Sequence, residues 1–184
     1  MVRSSWGQAL SSRAFTDRDQ LCDDGVALLR DELQALAEAG ADVVQFDEPV
    51  LTELVFAGKS STHTFMCAAL AASADPTGEL ALAVDLMNRV VDGIEGPLRA
   101  VHVCRGNWSR DETTLLSGGY RPLAPYLERL HVAQLVLEYA TDRAGDLMSF
   151  GGKELGLGVV NPRTDAVESS AAIRAAVEDA LRFY

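Results

Sequence analysis

The chain has 184 residues, 48% of them hydrophobic and 23% charged, which is the balance of a globular protein able to bury a substantial core. A net charge of -11 argues against nucleic acid or an anionic membrane surface as partner. No apolar run approaches the ~20 residues needed to span a bilayer, no basic-then-apolar leader opens the chain, and Cys22, Cys67 and Cys104 are widely spaced. The expectation is therefore a cytoplasmic protein with reduced thiols.

Residues 1–15 are serine-containing and aperiodic, and the expected organisation is one domain over 1–184 with that irregular N-terminal segment. Thr16 with Asp19 reads as a capping box, followed by a helical stripe of Cys22, Val26, Leu29, Leu33 and Leu36 that stops at Gly40. Val43-Val44-Gln45-Phe46 is a short strand ending in Asp47-Glu48-Pro49, where the proline ends ladder pairing. Helical patterns follow over 62–72 and from Glu79 to Val91, the second with Leu82, Leu86, Val90 and Val91 on one side and separated from the first by Asp75-Pro76-Thr77-Gly78. The run Leu98 to Val103 is a strand, 106–122 a long loop and 123–130 a short helix. Gln134 to Leu137 is a further strand, Leu155 to Val160 the last one, and 167–183 the closing helix.

Helices and strands that alternate in this way imply an α/β fold with a parallel sheet, in which functional groups collect at the carboxyl ends of the strands. Asp47 and Glu48, His102 and Cys104, Glu138 and Asn161 all fall at such ends. His102 and Cys104, two residues apart on an extended strand, point to the same side. With Glu138 at the end of the next strand they form a nitrogen, sulfur and oxygen donor set for Zn2+ with an open fourth position, the pattern of a catalytic rather than a structural ion.

These segments resemble the catalytic barrel of cobalamin-independent methionine synthase and its shorter bacterial relatives. The matching stretches are Val43-Val44-Gln45-Phe46-Asp47-Glu48-Pro49, Val101-His102-Val103-Cys104-Arg105-Gly106-Asn107, Leu137-Glu138-Tyr139 and Leu155-Gly156-Leu157-Gly158-Val159-Val160-Asn161-Pro162. The resemblance implies part of a (β/α)8 TIM barrel, about its C-terminal half, with four strands and flanking helices. It implies His102, Cys104 and Glu138 as zinc ligands, and methyl or alkyl transfer to a small thiol such as homocysteine. Asp47 and Cys104 are the candidate catalytic residues, and Asp47, Glu48, Arg105 and Asn107 the candidate substrate contacts. Asp47 matches the acid that holds the substrate's amino group.

The sequence departs from that family where a second zinc cysteine follows the last strand in an Asn-Pro-Asp-Cys context, since this chain reads Asn161-Pro162-Arg163-Thr164. An open half-barrel would also expose sheet edges, so the expected partner besides the thiol and the alkyl donor is a second copy in a homo-oligomer, or a separate chain supplying the other half. Two other functions fit the same residues: a non-catalytic or complementary half-barrel subunit, and zinc–thiol chemistry of carbon–sulfur cleavage or epoxide opening.

Each site residue also has a structural reading. Asp47 and Glu48 could cap the next helix or pair with an arginine, and Glu138 could be ion-paired to Arg105 or Arg143. The Arg105 fork could bind a substrate carboxylate or hold Glu138 or Asp47. Cys22 and Cys67 read as core, and His63 and His131 as surface groups. Trp108 and Tyr120 either pack their loop on the sheet or form a lid.

Overall fold

The computed structural model describes residues 17–56, 75–106 and 115–184. The expected helix over 62–72, the irregular start, His63, Cys67, Asn107 and Trp108 lie outside the described residues. In chain order the described elements are α1 (Arg18–Glu38), β1 (Val43–Asp47), α2 (Val50–Phe56), α3 (Pro76–Val91) and β2 (Leu98–His102). After these come α4 (Ala124–Leu127), β3 (Gln134–Glu138), β4 (Glu154–Gly158) and α5 (Ser170–Ala180), with single 3-10 turns at Arg121–Leu123 and Asp142–Ala144. The four strands form one parallel sheet in the order β1-β2-β3-β4, as the alternating pattern required.

Local chemistry explains where the helices begin. Asp17, not Thr16, is the N-cap of α1, because its carboxylate reaches the Asp19 N–H at 2.9 Å. The Asp75-Pro76-Thr77-Gly78 stretch does not merely break a helix. It starts α3, with Asp75 accepting from the Gly78 N–H at 2.9 Å and Pro76 in the first turn, where its missing N–H costs nothing. The buried stripe of α3 is accordingly Leu80, Val84, Met87, Val90 and Val91, with Leu82 and Leu86 at its margin. On α1, Cys22, Val26 and Leu33 are buried while Leu36 is left exposed. Helix α2 was not expected. Pro49 ends the strand and also opens this helix, whose Leu51 and Leu54 enter the core.

Alternation along the strands gives the sheet two chemically distinct faces. Val44, Val101, Val103, Leu135 and Leu137 are buried in the core beneath the helices. The other face carries Val43, Gln45 and Asp47 from β1, Ala100 and His102 from β2, Gln134, Val136 and Glu138 from β3, and Gly156 and Gly158 from β4. In a closed barrel this second face lines the interior. Here Val43 is 55% exposed, and among the described residues β1 and β4 are the outer strands of the sheet. The last strand ends at Gly158 rather than Val160. The last helix begins at Ser170, because the Ser169 hydroxyl caps it through the Ala172 N–H at 3.2 Å. Helix α5 buries little besides Ala180 and faces β4 across an open groove of about 600 Å³ lined by Leu155, Leu157, Val177, Leu181 and Phe183.

Candidate metal centre

Strand register assembles the site. Asp47 is the direct neighbour of His102 in the β1–β2 ladder. His102 pairs with Val136, and two residues further along each strand stand Cys104 and Glu138. Glu138 in turn pairs with Gly158. A Cβ at Gly156 would come within 2.9 Å of the Val136 side chain, so the glycines of β4 let it lie close against β3. Asp47, His102, Cys104 and Glu138 thus share one cavity of about 380 Å³, completed by Thr141, Arg143 and the turn containing Asn161 and Pro162.

Within this cavity the His102 Nδ1 lies 2.6 Å from Asp47 Oδ1, and its Nε2 lies 3.8 Å from Glu138 Oε1. One ligand atom each from Asp47, His102 and Cys104 falls within a mutual 4.8 Å. Glu138 joins them from the opposite side of the imidazole, with Arg143 3.9 Å from its other oxygen. Glu138, and after burial's opposing pull Asp47, hold the imidazole above its ordinary value. Burial pushes the Cys104 thiol up, and the charges of Asp47 and Glu138 push it further, against the Gly106 and Arg105 peptide N–H groups. A thiol so placed becomes a thiolate when a cation stands beside it. One imidazole, one thiol and two carboxylates converging on a partly buried pocket form a donor set that fits zinc.

The other expected site residues divide. Glu48 does not join Asp47 on the cavity. It is 4% exposed, and its carboxylate accepts from the Val50 N–H at 2.7 Å at the start of α2, which matches the capping reading. Burial pushes that carboxyl above the ordinary glutamate value. The Arg105 guanidinium points to neither Asp47 nor Glu138. It is 1% exposed, donates to the backbone oxygens of Leu116, Gly118 and Arg143, and lies 4.9 Å from the Tyr120 ring centre and 5.3 Å from that of Phe56. The contact with Glu138 comes instead from its peptide N–H, 3.2 Å from Oε1.

Tyr120 is fully buried and its hydroxyl accepts from the Glu138 N–H at 3.0 Å, so it packs its loop against the sheet. Thr52 has a role the sequence did not suggest: its buried hydroxyl donates to the Cys104 carbonyl at 2.6 Å, tying α2 to the end of β2. Only the helical spacing after Pro49 could have pointed to it. Where the resembled family has its second cysteine, the Asn161 side chain accepts from the Arg163 N–H at 3.1 Å and shapes the turn. His131 is a surface group, 2.7 Å from Asp92.

Residues 8–87 match the family described as cobalamin-independent synthase, catalytic domain. Proteins named methionine synthase are similar along most of the chain. That of Pyrococcus furiosus is 30% identical over 172 residues, covering 92% of this chain and 40% of the relative. That of Pyrococcus abyssi is 30% identical over 160 residues, covering 84% and 37%. The Saccharolobus solfataricus protein is 25% identical over 174 residues, covering 92% and 42%. The chain spans about two fifths of the length of these curated relatives. With four parallel strands bearing their reactive groups at the carboxyl ends, the chain is similar over residues 8–87 to the cobalamin-independent synthase catalytic domain, and along most of its length to part of the proteins named methionine synthase.

Proposed function

We propose that this chain carries the thiol-activating part of a zinc-dependent methyl- or alkyltransferase of the cytoplasm, with homocysteine as the acceptor. The observation that carries the reading is the convergence of His102, Cys104 and Glu138 with Asp47 on one strand-end cavity. Similarity to proteins named methionine synthase supports methyl transfer as the reaction.

In this reading His102, Cys104 and Glu138 hold the ion, which supplies the positive charge that keeps a bound substrate thiol as thiolate, its nucleophilic form. Asp47, whose side chain is 63% exposed at the cavity, offers a carboxylate to the substrate's amino group. Arg105 stays out of substrate contact and fixes the loops around the cavity. Asn161 and Pro162 line the same cavity, where three protein ligands would leave one position of the ion exchangeable for the substrate thiol.

Metal analysis of protein purified after zinc-replete expression tests the reading. Near-stoichiometric zinc that is lost in Cys104→Ser supports it, and zinc-free wild-type protein refutes it. A second reading, a half-barrel that works only when complemented by a second copy or another chain, is favoured by one specific observation: β1 and β4 have no outer partner strand among the described residues.

A further inference from the structure

We infer that Asp47 is a positioning residue of the metal centre: its carboxylate engages His102 Nδ1 and thereby presents Nε2 as the ligand, while Asp47 itself stays outside the coordination sphere. The inference rests on the zinc reading above and deepens it. Distance distinguishes the two carboxylates that flank the His102 ring. Two nitrogen or oxygen ligands, each about 2.05 Å from a tetrahedral zinc, stand roughly 3.3 Å apart. Asp47 Oδ1 and His102 Nδ1 are only 2.6 Å apart, a hydrogen-bond distance that leaves no room for an ion to bridge them. On the other side of the ring, Nε2 and Glu138 Oε1 are separated by 3.8 Å, close to the spacing a shared tetrahedral ion needs.

The backbone holds this arrangement. Asp47 and His102 are register partners, and the next residue locks the pairing through the Glu48 N–H to the His102 carbonyl at 2.8 Å. Glu138 is fixed from its own side by the Arg105 peptide N–H. A carboxylate on the remote nitrogen of a metal-bound imidazole selects the tautomer, orients the ring and increases its basicity toward the ion. Asp47 has a second oxygen for a substrate amine, so both roles fit one side chain.

Two measurements test this. In metal-free protein at alkaline pH, long-range proton–nitrogen NMR should show the neutral His102 protonated on Nδ1 in the wild type and a mixture of tautomers in Asp47→Ala. In titrations with cobalt(II) and zinc, Asp47→Ala should bind about 10- to 100-fold more weakly, with Asp47→Asn intermediate because it keeps an acceptor oxygen. The visible spectrum of the cobalt-saturated variants should match the wild type. Unchanged affinity in Asp47→Ala, or a proton on Nε2 in the wild type, overturns the proposal. A changed spectrum at saturation also overturns it, by making Asp47 a ligand. A wild-type protein that takes up neither ion defeats the zinc reading itself, an outcome distinct from normal ion binding by Asp47→Ala.

Discussion

Gly158 lies so close to Glu138 that a β-carbon on it would stand 2.9 Å from the Leu137 carbonyl oxygen and 3.3 Å from the Glu138 Cα. This contact keeps the edge strand against the site, and the Tyr139 N–H donates across it to the Gly158 carbonyl at 2.8 Å. Gly158→Ala should push β4 away and shift the Glu138 carboxylate, weakening zinc binding by about tenfold. Amide exchange at Tyr139 should accelerate in the same variant. Wild-type zinc affinity with unchanged exchange would show that the close approach is dispensable.

Glu48 gives a pH signature separate from the metal site. Burial holds its folded-state value above the ordinary 4.5, so the folded protein binds this proton more tightly than the unfolded chain does. Its favourable contribution is complete below the ordinary value and is lost as pH rises through the folded-state value. Each unit of that shift costs about 1.4 kcal/mol at neutral pH. Glu48→Gln keeps an acceptor for the Val50 N–H and lacks the charge. It should therefore be more stable than the wild type near neutrality and converge with it in acid. Urea melts between about pH 4 and pH 8 check this, and parallel stability profiles would contradict it.

Arg105 is a buried cation whose Nη2 donates to carbonyl groups of two loops and whose guanidinium is faced by two rings, while its Nε and Nη1 have no hydrogen-bond partner among the described residues. Arg105→Met leaves those carbonyls without their donor and should cost about 3 kcal/mol in denaturant unfolding. Arg105→Lys should recover only part of the loss, because an ammonium can donate to the same carbonyls but lacks the flat guanidinium face that lies against the Phe56 and Tyr120 rings. Equal stability of the lysine variant and the wild type would remove the argument for guanidinium geometry.

The outer strands β1 and β4, which have no further partner strand among the described residues, predict association. Sedimentation at micromolar concentration should report a mass above the 19.7 kDa of one chain. Val43→Lys places a charge on the exposed inner face of the edge strand and should shift the equilibrium toward that single-chain mass. A wild-type protein that stays at the single-chain mass at every concentration would rule association out.

The strands and the polar groups at their ends were legible because they depend on local signals: alternation and the His102-Val103-Cys104 spacing. What escaped depended on tertiary partners. Helix α2 is one short element whose start coincides with a strand-ending proline, so Pro49 carried two meanings. Thr52 reaches Cys104 across 52 positions of sequence. The environment of Arg105 is made by carbonyl groups, which no side-chain pattern announces. Glu48 stands next to Asp47 in sequence yet turns inward, because Glu48 caps α2 while Asp47 faces the cavity.

The four converging groups all stand at or just beyond strand ends, and the spacing between strands is fixed by backbone pairing. Substituting the loops around the cavity would therefore alter what enters it without disturbing the ligand geometry, whereas slipping one strand by a single residue would dismantle the centre at once. Such a layout lets the paired strands hold the polar cluster in place while the surrounding loops set what can enter the cavity.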